Sequence, residues 1–493
     1  MSATLSAVAA ALPRAELRGD DVEVVGATHD SRQVEAGWLF CCIVGSSTDG
    51  HDHAPDAVQR GAAALLVERP LELAVPQIEV PSVRAAAGPA AAVVHGRPSE
   101  HLTVVGVTGT NGKTTTTALL EGAFAAAGLG TGVIGTVATR IHGETVPGVR
   151  TTPEGPDLQR LLRIMHERGV DAVAAEVSSH GLDLHRVDGT RFAVALYTNL
   201  SHDHLDFHGS MEAYLAAKAR LFTPELADRG VVHLDGPWGR RLRDLSEVPI
   251  ITFGVDDDAD HRVIDVTTGT DGGRAVVLGP DGRRLEVRTT LLGSFNVLNA
   301  VGAVLAAEAA GVPTDAAVAG VAAATGPPGR VERIDAGQPF TVLVDYAHTP
   351  DALTALIEAV RDVQTAEGRV HVVIGCGGDR DRDKRPAMGA AAVRADVAIL
   401  TSDNPRSEDP ATILAAVEAG ARDALAAGAD AELHVEPDRR DAIASALARA
   451  APGDVVLVAG RGHETGQELA DRTLPFDDRD VVRELLAGRE VRS

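Results

Sequence analysis

The stretch Val104–Thr117, VVGVTGTNGKTTTT, decides how the rest of the chain is read. Apolar residues lead into a loop holding Gly106, Gly109 and Gly112, and Lys113 and Thr114 follow directly. The next residues, ALLEGAFAAAG, read as a helix. Strand, glycine loop, Lys-Thr pair and helix together make a phosphate cradle. Glycines let backbone N–H groups approach oxygens, and the helix N-terminus favours negative charge. Lys113 can then reach terminal phosphates while Thr114 offers its hydroxyl to Mg²⁺. The standard spacing asks for glycine at position 107, where this chain has Val107, so the motif is a variant.

Around this loop, short apolar runs alternate with helical stretches. VVGVTG, AVAAEVSS, VALYTNL, VVHLD and PIITFGV are strand-like, and DLQRLLRIMHERG and MEAYLAAKARLF lie between them as helices. That alternation predicts a mostly parallel sheet with helices on both faces, with ligands at the carboxyl ends of its strands. HRVIDVTTGTDGGRAVVLGPDGRRLEVRTTLLG, with its Gly-Gly and Asp-Gly turns, reads as an inserted β-hairpin. Before the loop, residues 1–98 read as a small α/β domain closed by His95-Gly96-Arg97-Pro98-Ser99. Residues 99–328 form the central domain. Residues 329–493 form a third, doubly wound α/β domain, whose runs FTVLVDYAH, VHVVIGCGG, VAILTSD and DVVLVAGRG each end in polar or glycine residues. PPGRVERID at 327–335 reads as the hinge.

The chain has 493 residues, and at ~100–200 residues per domain about three domains are expected. Net charge is -24 with no basic tract, which argues against nucleic acid or an anionic membrane as the main partner. No segment approaches the ~18 consecutive apolar residues of a membrane span. The alanine-rich N-terminal run lacks an early positive region and reads as a first helix, not a signal peptide. Cys41, Cys42 and Cys376 have no ligand-like spacing, so neither a disulfide framework nor a zinc site is expected. These features point to a cytoplasmic protein, expected as a monomer.

Polar clusters follow several strands. Glu176 ends AVAAEVSSH, where a carboxylate could hold a nucleotide's Mg²⁺ or simply cap a helix. NLSHDHLDFHG packs His202, Asp203, His204, Asp206 and His208 together, as a metal site, a proton relay or a capping turn. Lys218 stands in a helix of apolar and small residues, where a lysine ordinarily snorkels to solvent. Asn296 and Asn299 open an apolar helix, as N-caps or as partners of a base edge. The polar residues between 29 and 50 suit a ligand-binding rim or plain solvated loops equally. In the third domain Arg380, Arg406, Asp403 and Glu464 converge on strand ends. Arginine forks suit carboxylates and carboxylates suit amines, so an amino-acid-like zwitterion would satisfy the set.

GTNGKTTTT, EVSSHGLDLHRV, NLSHDHLDFHG, FNVLNA, PPGRVE, DYAHTPDAL, GGDRDRDKRP, DNPR and GRGHETGQE, in this order and with the lysine helix among them, resemble the Mur ligases. DSRQVEAGWLF and the following Asp49-Gly50 extend the likeness to the uridine-nucleotide domain of the branch that builds the muramoyl tripeptide. The resemblance implies an ATP-dependent ligase of peptidoglycan precursor synthesis. ATP would activate UDP-N-acetylmuramoyl-L-alanyl-D-glutamate as an acyl phosphate, and the amine of 2,6-diaminopimelate would attack it.

Carried over residue by residue, the resemblance assigns Gly109, Thr110, Asn111, Gly112, Lys113, Thr114, Thr115, Asn296, Arg330, Asp345 and His348 to ATP. Thr114, Glu176, His204 and Lys218 are implied to hold two Mg²⁺ ions, with Lys218 carbamylated, which reverses the bland reading of that lysine. Lys113, Glu176, His204 and Lys218 are thereby the implied catalytic set. Ser31, Thr151, Thr152, Ser178 and Arg186 match positions holding the UDP-muramoyl dipeptide. Arg380, Asp403, Asn404, Arg406, Gly460 and Glu464 match the diaminopimelate pocket, with Arg406 paired to the substrate carboxylate distal to the reacting centre. The chain departs from the family at Leu184, where some relatives have glutamine. It departs again at His202, commonly arginine, and at Arg461, frequently lysine, and Ser46-Ser47-Thr48 matches no uridine contact. Two competing readings are a folylpolyglutamate-synthetase relative and a non-catalytic nucleotide-responsive module.

Overall fold

The computed structural model describes residues 2–45, 47–146, 150–269, 271–364 and 367–490, so Ser46 of the loop just named lies outside it. The first ~100 residues build a sheet in the order Glu16–Arg18, Gln77–Glu79, Ala64–Val67, Trp38–Cys41 and Gly26–Thr28, parallel except at its first strand. Its central run alternates as a strand must: Leu66 joins one core with Leu39 and Val83, while Leu65 joins another with Phe40 and Ala57.

Among the described residues the central sheet has eleven strands. At its middle lies β1 (Thr103–Thr108), flanked in parallel by β2 (Ala172–Glu176) and β3 (Val194–Tyr197). Helix α1 (Lys113–Ala126) leaves the loop after β1 and packs on one face beside α2 (Ser294–Ala309). Val107 points into this same core with Leu119, Leu120 and Phe124. The valine that departs from the standard loop spacing is therefore a packing residue, whose burial contributes about 1.5–3 kcal/mol. Val104 and Val173 face the opposite core with Leu158 and Leu162.

The expected β-hairpin forms, and it also extends the far end of this sheet. His261–Gly269 pairs in parallel with Ile250–Gly254, and Gly272–Leu278 and Arg284–Thr289 follow antiparallel. The reason is its period-two pattern: Val263, Ala275, Val277 and Val287 all turn toward Val297 and Val301 of α2, so the strands bury one face by extending the sheet.

The third sheet is ordered Glu332–Ile334, β4 (Thr341–Asp345), β7 (Val455–Ala459), β5 (Val370–Ile374), β6 (Val397–Leu400) and Glu432–Val435, parallel except at its first strand. Helices cover both faces. Beneath its carboxyl end Arg439 and Asp478 form a fully buried ion pair, with Nε and Nη2 donating to the two carboxylate oxygens at 2.8 and 2.7 Å. Nη2 also donates to the Ala459 carbonyl and Nη1 to that of Ser402, which fixes the ends of β7 and β6 together. Removing one partner strands a buried charge, so Asp478→Ala should cost about 3–5 kcal/mol of stability in denaturant unfolding, and a loss below ~1 kcal/mol would contradict this role.

Candidate active site

The loop after β1 can close only on glycine at two places. Gly109 has φ +147° with Thr198 Oγ1 where a Cβ would be, and Gly112 has φ +84° with Asn299 Oδ1 2.6 Å from that position. Gly112 caps α1 with no side-chain hydrogen bond, leaving the first N–H groups of the helix without a side-chain cap. Lys113 Nζ folds back to donate to the carbonyls of Gly109 and Thr110 at 2.9 and 2.8 Å. Lys218 donates to the same Gly109 carbonyl from below at 3.0 Å. Lys218 is 1% exposed, which corrects the expectation of a snorkelling lysine. Its Nζ lies 4.3 Å from the centre of the Tyr214 ring. Burial, and then the nearby Lys113 charge, push Lys218 well below the usual lysine range, and burial lowers Lys113 as well.

Above the loop a cavity of about 200 Å³ is lined by Lys113, Thr114, Glu176, His204, Arg330 and His348, with Thr110, Asn111, Gly112 and Thr115 from the loop itself. Glu176 is buried at the end of β2, where its two oxygens accept from Thr136 N at 2.8 Å and Thr136 Oγ1 at 3.0 Å. Asp203 also lines the cavity, with Oδ2 3.4 Å from His204 Nε2. Burial drops the His204 imidazole to about 4 against the pull of Asp203. The rest of the histidine cluster separates: His208 accepts or donates at Ser179 Oγ, 3.0 Å away, and stacks on Tyr214, while His202 and Asp206 are exposed. Among the described residues no three His, Cys, Asp or Glu side chains are arranged as a metal site, so the cluster is not a preformed one. Lys218 lies beneath the loop and outside the cavity lining.

A second cavity of about 340 Å³ adjoins the loop and takes Asn296, Asn299, Arg330, Asp345 and Tyr346, with Phe253 and Phe295 as apolar walls. The asparagines are not N-caps, since Gly293 holds that position. Asn296 donates to the Leu292 carbonyl at 2.9 Å and accepts from Asn299 at 3.1 Å. Asp345 accepts from Val331 N at 2.7 Å and Ala347 N at 2.6 Å, so this carboxylate pins the segment that crosses between the central and third sheets. Burial pushes Asp345 up and His348 down. Arg330 lies over the Tyr346 ring at 4.3 Å and donates to Thr114 Oγ1 at 3.4 Å.

A third cavity, about 620 Å³, is lined by Thr151, Thr152, Ser178, Arg186 and Arg150, with no carboxylate on its wall among the described residues. It shares Thr136, Thr151, Ser178 and His204 with the 200 Å³ cavity, so the two abut. Ser31 is not part of it; this serine sits in the turn Ser31–Gln33 of the first unit. Arg186 is aimed by buried Glu154, at 3.0 Å, which also meets Arg150 at 3.1 Å and Arg84 of the first unit at 3.3 Å. Arg84 further donates to the main-chain carbonyl of Leu184 at 3.4 Å.

At the carboxyl end of the third sheet, Asn404 donates to Glu464 at 2.7 Å and accepts from Glu468 N at 2.8 Å. Gly460, at φ +106°, leaves Asp403 Oδ2 3.0 Å from where a Cβ would be. Burial and the neighbouring Asp403 raise Glu464 above the ordinary range. Arg406 is already engaged: Nε donates to Glu468 at 2.6 Å and Nη1 to the Gly378 carbonyl at 2.8 Å. Arg380 is exposed on its loop. Thr136, Glu154 and Glu468 had no role in the sequence reading, and Asp203 entered it only as one member of the histidine-aspartate cluster. Asp203 lay in a quoted motif, whereas Thr136 and Glu154 stand in loops with no distinguishing pattern.

Comparison with known proteins gives a consistent picture. Residues 23–101 match the Mur ligase family catalytic domain, 107–307 the Mur ligase middle domain and 329–462 the Mur ligase glutamate ligase domain. The chain is 48% identical to the UDP-N-acetylmuramoyl-L-alanyl-D-glutamate–2,6-diaminopimelate ligase of Streptomyces avermitilis, over 97% of this chain and 96% of that one. A solved structure of a ligase of the same name shares 34% identity and a TM-score of 0.67, covering 95% of both chains. The Thermotoga maritima MurF ligase, solved in complex with ADP, has the same fold at TM-score 0.65 and 20% identity, over 95% of this chain and 98% of that one.

An alanine at position 112 would have to adopt a left-handed φ and displace Asn299, a strain of about 1–3 kcal/mol. Gly112→Ala should therefore weaken nucleoside-triphosphate binding about tenfold or more in a calorimetric titration; wild-type affinity would show that the loop is not the phosphate cradle.

Proposed function

The chain belongs to the Mur ligase family, and from that membership we infer that it is an ATP-dependent, ADP-forming ligase adding 2,6-diaminopimelate to UDP-N-acetylmuramoyl-L-alanyl-D-glutamate. The observation that carries this reading is the abutment of the 200 Å³ and 620 Å³ cavities through Thr136, Thr151, Ser178 and His204. A phosphate over the loop and a carboxylate in the carboxylate-free cavity would meet there.

The division of labour follows the three units, at 1–98, 99–328 and 329–493. The first, with Ser31, receives the uridine end, and the 620 Å³ cavity takes the muramoyl dipeptide on Thr151, Thr152, Ser178 and Arg186. ATP lies along the loop, with its base in the 340 Å³ cavity against Asn296. Lys113 exchanges the Gly109 and Thr110 carbonyls for phosphate oxygens. A glutamyl carboxylate oxygen attacks the γ-phosphorus, the bond to ADP breaks, and an acyl phosphate forms. The neutral amine of diaminopimelate then attacks the acyl carbon, phosphate leaves, and the nitrogen gives up a proton. The protein contributes positioning and charge neutralisation, with little covalent work of its own.

The donor set suits hard cations. Thr114 and Glu176 offer oxygen on the cavity wall, and neutral His204 offers nitrogen. Lys218 as an ammonium does not fit such a set. As a carbamate it does, and the burial that keeps its amine neutral supplies the form that adds CO₂. Magnesium held by these residues would neutralise the charge developing on the transferred phosphoryl group. At the third sheet, Asp403 and Glu464 receive the distal ammonium of diaminopimelate. Arg406 receives the distal carboxylate once it is released from Glu468. The nucleotide-linked substrates argue for a cytoplasmic enzyme. No helix among the described residues is long and apolar enough to cross a membrane.

A coupled assay of ADP release with a panel of amino acids tests this directly. Turnover should require the muramoyl dipeptide and diaminopimelate together. L-lysine, which lacks the carboxylate for Arg406, should give kcat/KM lower by about 10²-fold or more. Equal turnover with lysine would overturn the amino-acid assignment, and turnover of a folate with glutamate would replace it. Lys218→Ala should lose about 10²-fold or more in kcat, and short carboxylates such as formate should partly restore it. Full activity without rescue would remove the carbamate.

A further inference from the structure

At the third sheet's carboxyl end, Arg461 takes no part in the proposed chemistry. It is fully buried beneath the turn that carries Glu464, whose N–H donates to the Arg461 carbonyl at 3.0 Å. One arm is spent on structure: Nη2 donates to the carbonyls of Gly466 at 2.7 Å and Phe476 at 3.1 Å. Nε and Nη1 are buried with no hydrogen-bond partner among the described residues. A guanidinium with two idle N–H groups is costly to bury. Nε lies 3.7 Å from Glu464 Oε2, and ~0.8 Å of approach would bring it to the ~2.9 Å of a charged hydrogen bond. The turn itself has little room to move: a Cβ at Gly462 would meet the Gly329 carbonyl at 2.5 Å and Tyr346 Cβ at 2.8 Å.

We propose that Arg461 is a positioning residue for the amino-acid substrate: its sealed guanidinium stands behind Glu464 and closes onto it when that carboxylate receives the substrate ammonium. The proposal rests on the assignment of Glu464 to diaminopimelate. Glu464 faces Asp403 and the neutral Asn404 from the loop after β6, Arg406 at the rim, Arg461 behind, the Tyr346 hydroxyl from the end of β4 and the buried Arg439 below. Burial and Asp403 favour its protonated form; Asn404, Arg461 and Arg406 oppose them. Arg461 is thus a cation that helps to hold Glu464 ionised without being able to reach the substrate itself. A lysine in its place would keep the charge and lose the fork that reaches Gly466 and Phe476 together with Glu464.

The test is the pH dependence of kcat/KM for diaminopimelate in Arg461→Met and Arg461→Lys, beside thermal unfolding of both. Without the cation Glu464 stays protonated to higher pH. Arg461→Met should therefore move the acid limb up by ~1 pH unit and raise KM for diaminopimelate about tenfold, with kcat at saturation and KM for ATP little changed. Arg461→Lys, which loses the same contacts to the Gly466 and Phe476 carbonyls, should keep the limb within ~0.3 unit of wild type. Arg461→Gln, uncharged but still a donor, serves as the second variant if Arg461→Met does not fold. A wild-type limb and KM in the uncharged variants, with only a lower melting temperature, would reduce Arg461 to a structural anchor. Glu464→Gln reports separately: an unchanged KM for diaminopimelate there would overturn the assignment of Glu464 and leave the phosphate chemistry intact.

Discussion

Two lysine amines donate to one carbonyl, that of Gly109, and the rest of the site is arranged around that crowding. Two ammonium groups cannot share a buried acceptor without cost, because burial and mutual repulsion both favour the neutral amine. The deeper one, Lys218, gives way further, and Lys113 keeps a second contact on Thr110 and an exit toward the 200 Å³ cavity. The same carbonyl therefore separates the pair into a lysine that faces the cavity and one whose amine is sealed beneath the loop. The sorting holds only because Gly109 and Gly112 take backbone conformations and spaces closed to other residues.

The remaining units are tied to that loop by buried carboxylates. Glu154 gathers Arg186, Arg150 and Arg84, so the helix Val83–Val94 of the first unit docks beside the 620 Å³ cavity. Asp345 holds the crossing segment by Val331 N, and Gly329 lies against the turn at Gly462 and His463 so tightly that neither glycine admits a side chain. The buried pair Arg439–Asp478 then joins the ends of β6 and β7, which carry Asp403 and Glu464. Phosphate loop, hinge and amino-acid turn are thus mechanically continuous.

Much of this was legible in the sequence wherever a local pattern carries it. The glycine loop, the alternation of strands and helices and the polar strand ends are short-range features, and the structure has them where the pattern placed them. What depends on distant partners was not legible. An alanine-rich helix with one lysine looks the same whether that lysine meets water or, as here, the Gly109 carbonyl. Asn296 resembled a cap because it opens a helix, yet Gly293 holds that place. Val107 looked like a defect in a motif until Leu119 and Phe124 were seen around it. Arg406 read as an open receptor for a carboxylate, and Glu468 already occupies it.

The central claim is that the loop delivers a phosphoryl group to a glutamyl carboxylate across the shared wall of the two cavities. Muramoyl dipeptide labelled with oxygen-18 in both free glutamyl carboxylates tests it, with mass spectrometry of the inorganic phosphate released in one turnover. The account predicts that each phosphate carries one oxygen from a glutamyl carboxylate. Phosphate without the label, formed while the peptide product accumulates, would contradict it.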